Sequence, residues 1–178
     1  RTKTNPGDNV RPSPGPNPKP GPKPVAPPPP KPTDPDKPKP KPAPKKPVAS
    51  ELMNTEAKGA KPVRVKQGTN GKVAIVGRNM EYVKAESAEL QAQGYDVEIF
   101  DGPNIPNDAK VDWAARTANG RRVSDAEAVK TPMYEANEAR AQKMRDQGYT
   151  VVDMGNPSNK GPSVFYDMEG DTIFGGPN

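Results

Sequence analysis

Tyr166, Asp167, Glu169 and Asp171 lie together near the carboxyl end of this chain, directly behind Phe165. Carboxylates beside bulky apolar rings are the setting in which burial raises a carboxyl pKa and yields an acid/base group for neutral pH. Tyr166, Asp167 and Glu169 are therefore the candidate catalytic residues, and Asp153, near the end of an apolar run, is placed to join them. Such acids could also hold Mg²⁺, but no metal-ligand set is assigned. The plainer reading is a helix end with solvated acids.

A second constellation follows the apolar run Lys72–Val76. There Gly77-Arg78-Asn79 opens a helical pattern, and the free N–H groups of a helix start together with an arginine can hold a phosphate. Asp101 falls close to where the dinucleotide fingerprint puts its ribose-binding acid. The loop GNPSNKGPS offers Asn156 and Ser158, with Lys160 and Ser163, as a second anion cradle. Arg78, Asn79, Asp101, Asn156 and Ser158 are thus the candidate phosphate- or cofactor-binding residues, with the cofactor itself unknown. Against this, Arg78, Asn79, Met80, Glu81 and Tyr82 follow Gly77, so GxGxxG is missing. An ordinary strand-to-helix turn and a polar loop are the competing readings.

Composition removes whole classes of chemistry. The chain has no Cys and no His, which excludes disulfides, thiol nucleophiles, Cys/His zinc sites and every His-based triad. Asp96, Glu98 and Asp101 suggest a metal-dependent nuclease, but the lysine expected two residues after the second acid is absent. Charge is split: residues 1–70 carry 15 Lys+Arg and 5 Asp+Glu, residues 71–178 carry 12 and 17. The basic balance belongs to the amino-terminal part, and a broad basic face for nucleic acid is not expected on the rest. No apolar run reaches the roughly 18 residues a membrane helix needs.

The elements that must position these residues read as alternating strand and helix. Lys72–Val76 is a buried strand. Asn79 caps a helix with Met80, Val83, Ser87 and Leu90 on one face, ended by Gly94. Tyr95–Phe100 alternates and suits a sheet edge. Asp108 is read as the cap of a short helix carrying Trp113, which is expected to pack internally. Arg121-Arg122 reads as a solvated loop, with phosphate contact as the minority reading. Ser124–Glu127 is a capping box, Thr131-Pro132 starts a helix to about residue 147, and Tyr149–Met154 is a strand. Val63–Lys66 could add a short edge strand. Ser163 caps a helix to Glu169, stopped at Gly170, with Thr172–Phe174 as a last strand. LQAQGYDVEIFDGPN and MRDQGYTVVDMGNPS repeat one helix-to-strand junction. The expectation is α/β: a small Rossmann-like, doubly wound, mostly parallel sheet spanning residues 61–178.

Nineteen of the 26 prolines lie in residues 1–50. Residues 1–60 are read as a Pro/Lys-rich disordered linker, since so few apolar side chains cannot offset the entropy of ordering. Polyproline II stretches would extend it on the order of 100 Å. A PxxP ligand is the alternative.

The patches IVGRNMEYV, GYDVEIFDG, KTPMYEANEAR, GYTVVDMGNPSNKGPSVFYDME and IFGG, taken in order, resemble C-terminal modules at the ends of bacterial Rhs-type polymorphic toxins. Val164 departs from that pattern, which has a Pro at the helix start. The resemblance implies a toxic payload, secreted or delivered into a target cell, and neutralised by a cognate immunity protein. It implies no particular reaction. The first reading is an enzyme acting on a nucleotide or other phosphate-containing substrate. A metal-dependent nuclease, which would make nucleic acid the partner, comes second, and a non-enzymatic binding module on a Pro-rich stalk third.

Overall fold

The computed structural model describes residues 7, 11–32, 35, 38, 40–157 and 160–175. The chain divides into two compact units, Arg1–Pro40 and Lys41–Asn178. In the first, residues 11–32 contain neither helix nor strand and are exposed throughout, as a proline- and lysine-rich composition dictates. No helix among the described residues is long and apolar enough to cross a membrane.

The second unit is α/β, built on a four-stranded mixed sheet. Its strands are β1 (Arg64–Lys66), β2 (Lys72–Val76), β3 (Asp96–Glu98) and β4 (Thr150–Asp153), in the order β1-β4-β2-β3. β2 runs parallel to both β3 and β4, while β1 pairs antiparallel with β4. The two short strands with charged residues, β1 and β3, take the edges, where an open face tolerates them. The central strands β2 and β4 are buried almost throughout. Helices α1 (Ala49–Leu52), α2 (Met80–Ala92), α3 (Asn107–Arg116), α4 (Asp125–Ala128), α5 (Pro132–Asp146) and α6 (Val164–Phe174) complete the unit.

Strand periodicity splits the core in two. Val73, Ile75, Val152 and Met154 pack with Leu52, Val83 and Leu90 from α1 and α2. Ala74, Val76 and Val151 pack with Ala141 and Met144 of α5 and Met168 and Ile173 of α6 on the opposite face. The repeated QGY junction has one cause at both places. Gly94 (φ +94) and Gly148 (φ +73) take the left-handed conformation that ends a helix,. The next residue, Tyr95 or Tyr149, then donates its N–H to the carbonyl of Leu90 or Met144 and enters a strand, buried.

Three expectations change. The segment before residue 61, read as linker, enters the fold: Leu52 is fully buried in the first core, and Lys45 N donates to Gly94 O (2.8 Å). Thr55 Oγ1 donates to Glu86, whose carboxyl is fully buried on α2. A four-residue helix is a weak sequence signal, and only docking against the sheet makes it worth forming. Gly170 does not stop α6, which runs on to Phe174 in place of a last strand. Met168 and Ile173 are buried on either side of Gly170. That burial outweighs the roughly 1 kcal/mol a helical glycine costs, and the left-handed Gly175 makes the C-cap. Asp108 is not the cap of α3: it lies inside the first turn, after Pro106.

Candidate functional site

β4 delivers Asp153, fully buried, to the carboxyl end of the sheet. Its Oδ2 accepts from Arg64 Nε (2.7 Å), its Oδ1 from Gly155 N (2.8 Å), and the Tyr166 hydroxyl donates to the same carboxylate (2.9 Å). Arg64 in turn stacks over Phe174 at 3.9 Å. A Cβ on Gly170 would lie 2.9 Å from Arg64 Nη2, so the helical glycine leaves room for this guanidinium. Burial, and next the charge of Asp153, raise the Tyr166 pKa above the ordinary phenol range. Tyr166 is therefore a protonated donor at neutral pH, bound to Asp153.

One turn further along α6, Glu169 is only 8% exposed. Asn137 Nδ2 donates to its Oε1 (2.7 Å). Burial pushes the carboxyl up to about 7, against the pull of the Asn137 hydrogen bond and of Arg140; Asp153 adds a smaller push upward. Arg140 is itself buried, with its Nη2 3.4 Å from the carbonyls of Ile75 and Glu98 and its guanidinium 5.7 Å from the Phe100 ring. Burial lowers its pKa. Asn137 Oδ1 and Arg140 Nε have no hydrogen-bond partner among the described residues. Each orphaned atom costs about 1–3 kcal/mol. That is a concentration of cost at one carboxyl, of the kind found at functional sites.

Glu169 lines a cavity of about 340 Å³, walled by Phe100, Ile105, Trp113, Met133 and Phe165. The Trp113 and Phe165 rings meet edge-to-face at 5.3 Å. A neighbouring groove of about 610 Å³ carries Arg78, Arg121, Arg122 and Lys160, with Asp125 as an acid. Arg78, Trp113, Ser163 and Phe165 line both, so the two spaces adjoin. Arg121 is tied to Glu127 (2.7 Å); Arg122 and Lys160 have no ion-pair partner among the described residues. Arg78 Nε donates to Gly161 O (3.2 Å).

Of the sequence candidates, Tyr166, Glu169 and Arg78 meet at this site, and Asp153 joins through Tyr166. Asp167 does not, being exposed on the opposite side of the α6 turn, and Asp171 is exposed as well. Asn79 caps α2, its side chain accepting from Glu81 N (3.1 Å). Gly77 is explained by packing: a Cβ there would meet Val83 Cγ2 at 2.9 Å and Met154 Cβ at 3.1 Å. Asp101 pairs with Lys84 (3.3 Å) rather than standing free for a ribose. Asn156 braces its own loop, accepting from Lys160 N (3.0 Å) and donating to Lys160 O. Ser158 lies outside the described residues. Glu98 binds Lys143 and Tyr149 instead of joining Asp96 and Asp101, and the described residues hold no cluster of three acids fit for a metal.

Asn137 and Arg140 went unread in the sequence. Their signal is two polar residues three apart on the α5 face that also carries Ala141 and Met144, where an apolar stripe would be expected. Trp113, expected to pack internally, does pack on Phe165, and being only half-buried it also lines the site.

The chain matches no protein-family model, no curated protein and no solved structure.

Proposed function

We propose that residues 41–178 form an enzyme acting on a nucleotide or other phosphate-containing substrate. The observation that carries this is the union of a cation-lined groove with an apolar pocket whose buried carboxyl, Glu169, exchanges its proton near pH 7. Phosphate would sit on Arg78, Arg122 and Lys160, and Glu169 would give or take a proton at the reacting group. Tyr166 and Asp153 hold α6, and with it Glu169, against the end of β4. The site lies beyond the carboxyl ends of the parallel strands, where ligands collect in Rossmann-like, doubly wound sheets. The missing GxGxxG means that side-chain cations, not glycine backbone, would contact the phosphate.

The resemblance to Rhs-type modules supports a biological setting for this enzyme. It would be the C-terminal effector of a secreted polymorphic toxin, delivered into a target cell, with a cognate immunity protein as partner. Inducing the full chain in a bacterial cytoplasm beside Glu169→Gln tests both parts. Growth arrest by the parent alone, with both proteins soluble, is expected. A well-expressed parent that leaves growth untouched overturns the toxin reading. One observation favours the binding-module alternative: Asn79, Asp101 and Asn156 are each engaged within the chain. That reading predicts unchanged behaviour on altering Glu169 and Arg122. A nuclease is disfavoured by the acidic balance of residues 71–178 and by the separation of Asp96, Glu98 and Asp101.

A further inference from the structure

The pocket beside Glu169 is unusual in its walls. Four aromatic side chains, Phe100, Trp113, Phe165 and Tyr166, line a space of about 340 Å³, within the range of about 300–1,000 Å³ typical of small-ligand sites. Flat rings offer stacking surface to another flat ring. A saturated chain would fill the same volume but leave one feature unanswered. Glu169, more than nine-tenths buried, lines this space as a polar carboxyl with its Oε1 held by Asn137. A ligand that is both flat and edged with hydrogen-bonding atoms suits the aromatic walls and this carboxyl together. Nucleobases have both properties.

The groove sets the other end of the ligand. Arg78 lines both spaces, and Arg122 and Lys160 stand in the groove alone. An uncharged nucleoside would use none of them. A long nucleic acid would need a basic track continuing beyond them, yet residues 41–178 hold 19 Lys+Arg against 19 Asp+Glu, and Asp125 already stands in the groove.

We propose that the ligand of this site is a small nucleotide held base-inward: the base against Trp113 and Phe165 with its edge on Glu169, the phosphate on Arg78, Arg122 and Lys160. This inference rests on the phosphate-substrate reading and narrows it. Glu169 donates to a ring acceptor when protonated and accepts from an exocyclic amine when ionised, so it is a specificity-determining residue as well as an acid/base group.

Trp113 is the single tryptophan of the chain, and its fluorescence therefore reports this site alone. The full chain is titrated with AMP, GMP, CMP and UMP, with the matching nucleosides, with ribose 5-phosphate, with inorganic pyrophosphate and with a mixed-sequence single-stranded RNA. Calorimetry catches any binding that leaves Trp113 unquenched. At least one nucleotide is expected to bind about tenfold or more tighter than ribose 5-phosphate and than its own nucleoside. Arg122→Gln is expected to weaken the nucleotide but not the nucleoside, and Glu169→Gln to change the order of preference among the four bases. Ribose 5-phosphate or pyrophosphate binding as tightly as every nucleotide overturns the base-inward arrangement while leaving the phosphate reading standing. A nucleoside as tight as its nucleotide overturns the groove's part. RNA binding far tighter than any nucleotide overturns the small-ligand assignment. Absence of binding by every phosphate-containing probe overturns this inference and the proposed function together.

Discussion

Replacing Glu169 by Gln keeps the shape of the side chain and its acceptor for Asn137, and removes only the titration. The carboxyl sits at about 7 in the fold against an ordinary value of 4.5. Below pH 4.5 the folded and unfolded chains both hold the proton, so the parent is at its most stable as far as this group is concerned. Between the two values the unfolded chain releases the proton while the fold retains it, and stability falls as pH rises. Above about 7 the loss is complete. At 1.36 kcal/mol per unit the whole loss is about 3 kcal/mol. Because Glu169 is almost fully buried, little of it is screened away. The parent and Glu169→Gln should therefore lie within about 1 kcal/mol of each other at pH 5, and Glu169→Gln should be the more stable by about 3 kcal/mol at pH 8.5. For a unit of this size that is on the order of 10 °C in Tm. Urea unfolding of both proteins from pH 4.5 to 8.5 measures it, and the difference between them cancels other titrating groups, such as the buried Glu86. Parallel pH profiles would show that Glu169 ionises freely in the fold. That result would remove the reason for calling it an acid/base group.

Leu52→Ala should cost about 2–5 kcal/mol in urea unfolding, because Leu52 is fully buried against the sheet; a cost under 0.5 kcal/mol would return residues 45–60 to the linker. Arg64→Ala should cost about 2–4 kcal/mol, since it leaves the fully buried Asp153 without its cation,; Tyr166→Phe, which removes one hydrogen bond, should cost about 1–2 kcal/mol, and an inverted order would mean that Tyr166, not Arg64, anchors Asp153. Gly68→Ala should unfold or severely destabilise the chain, because its Cβ would fall 2.1 Å from Gly148 O and 2.3 Å from Tyr149 C, whereas Gly161→Ala meets nothing within 4 Å and should be close to neutral; circular dichroism melts of the two variants decide it.

The elements of the sheet and most of its helices were legible because their signals are local. Val73–Val76 is an apolar run of strand length and Tyr149–Met154 a largely apolar one, Asn79, Ser124, Thr131 and Ser163 are caps whose side chains do accept from the first turn, and the charged β1 and β3 suited sheet edges. Where expectation failed, a distant contact decided. Gly170 ends a helix by local rules, but burial of Met168 and Ile173 carries α6 through it, and the space it leaves is used by Arg64 from a strand more than a hundred residues earlier.

The candidate site divides in the same way. Sequence alone determined that any chemistry here is done without thiol or imidazole, that Tyr166 and Glu169 lie beside large apolar side chains, and that Arg78 stands at a strand-to-helix turn. Those are statements about residue types and near neighbours. Only the tertiary structure decided that Asp167 points to solvent while Glu169, half a turn on, is buried, and that Asp101 is taken by Lys84. It also brought Asn137 and Arg140 from α5, and Trp113 from α3, to the same carboxyl and its cavity. The reason is that burial and pairing depend on the summed placement of segments far apart in the chain. A carboxylate becomes an acid/base group near neutrality only after several of those segments have together excluded water from it.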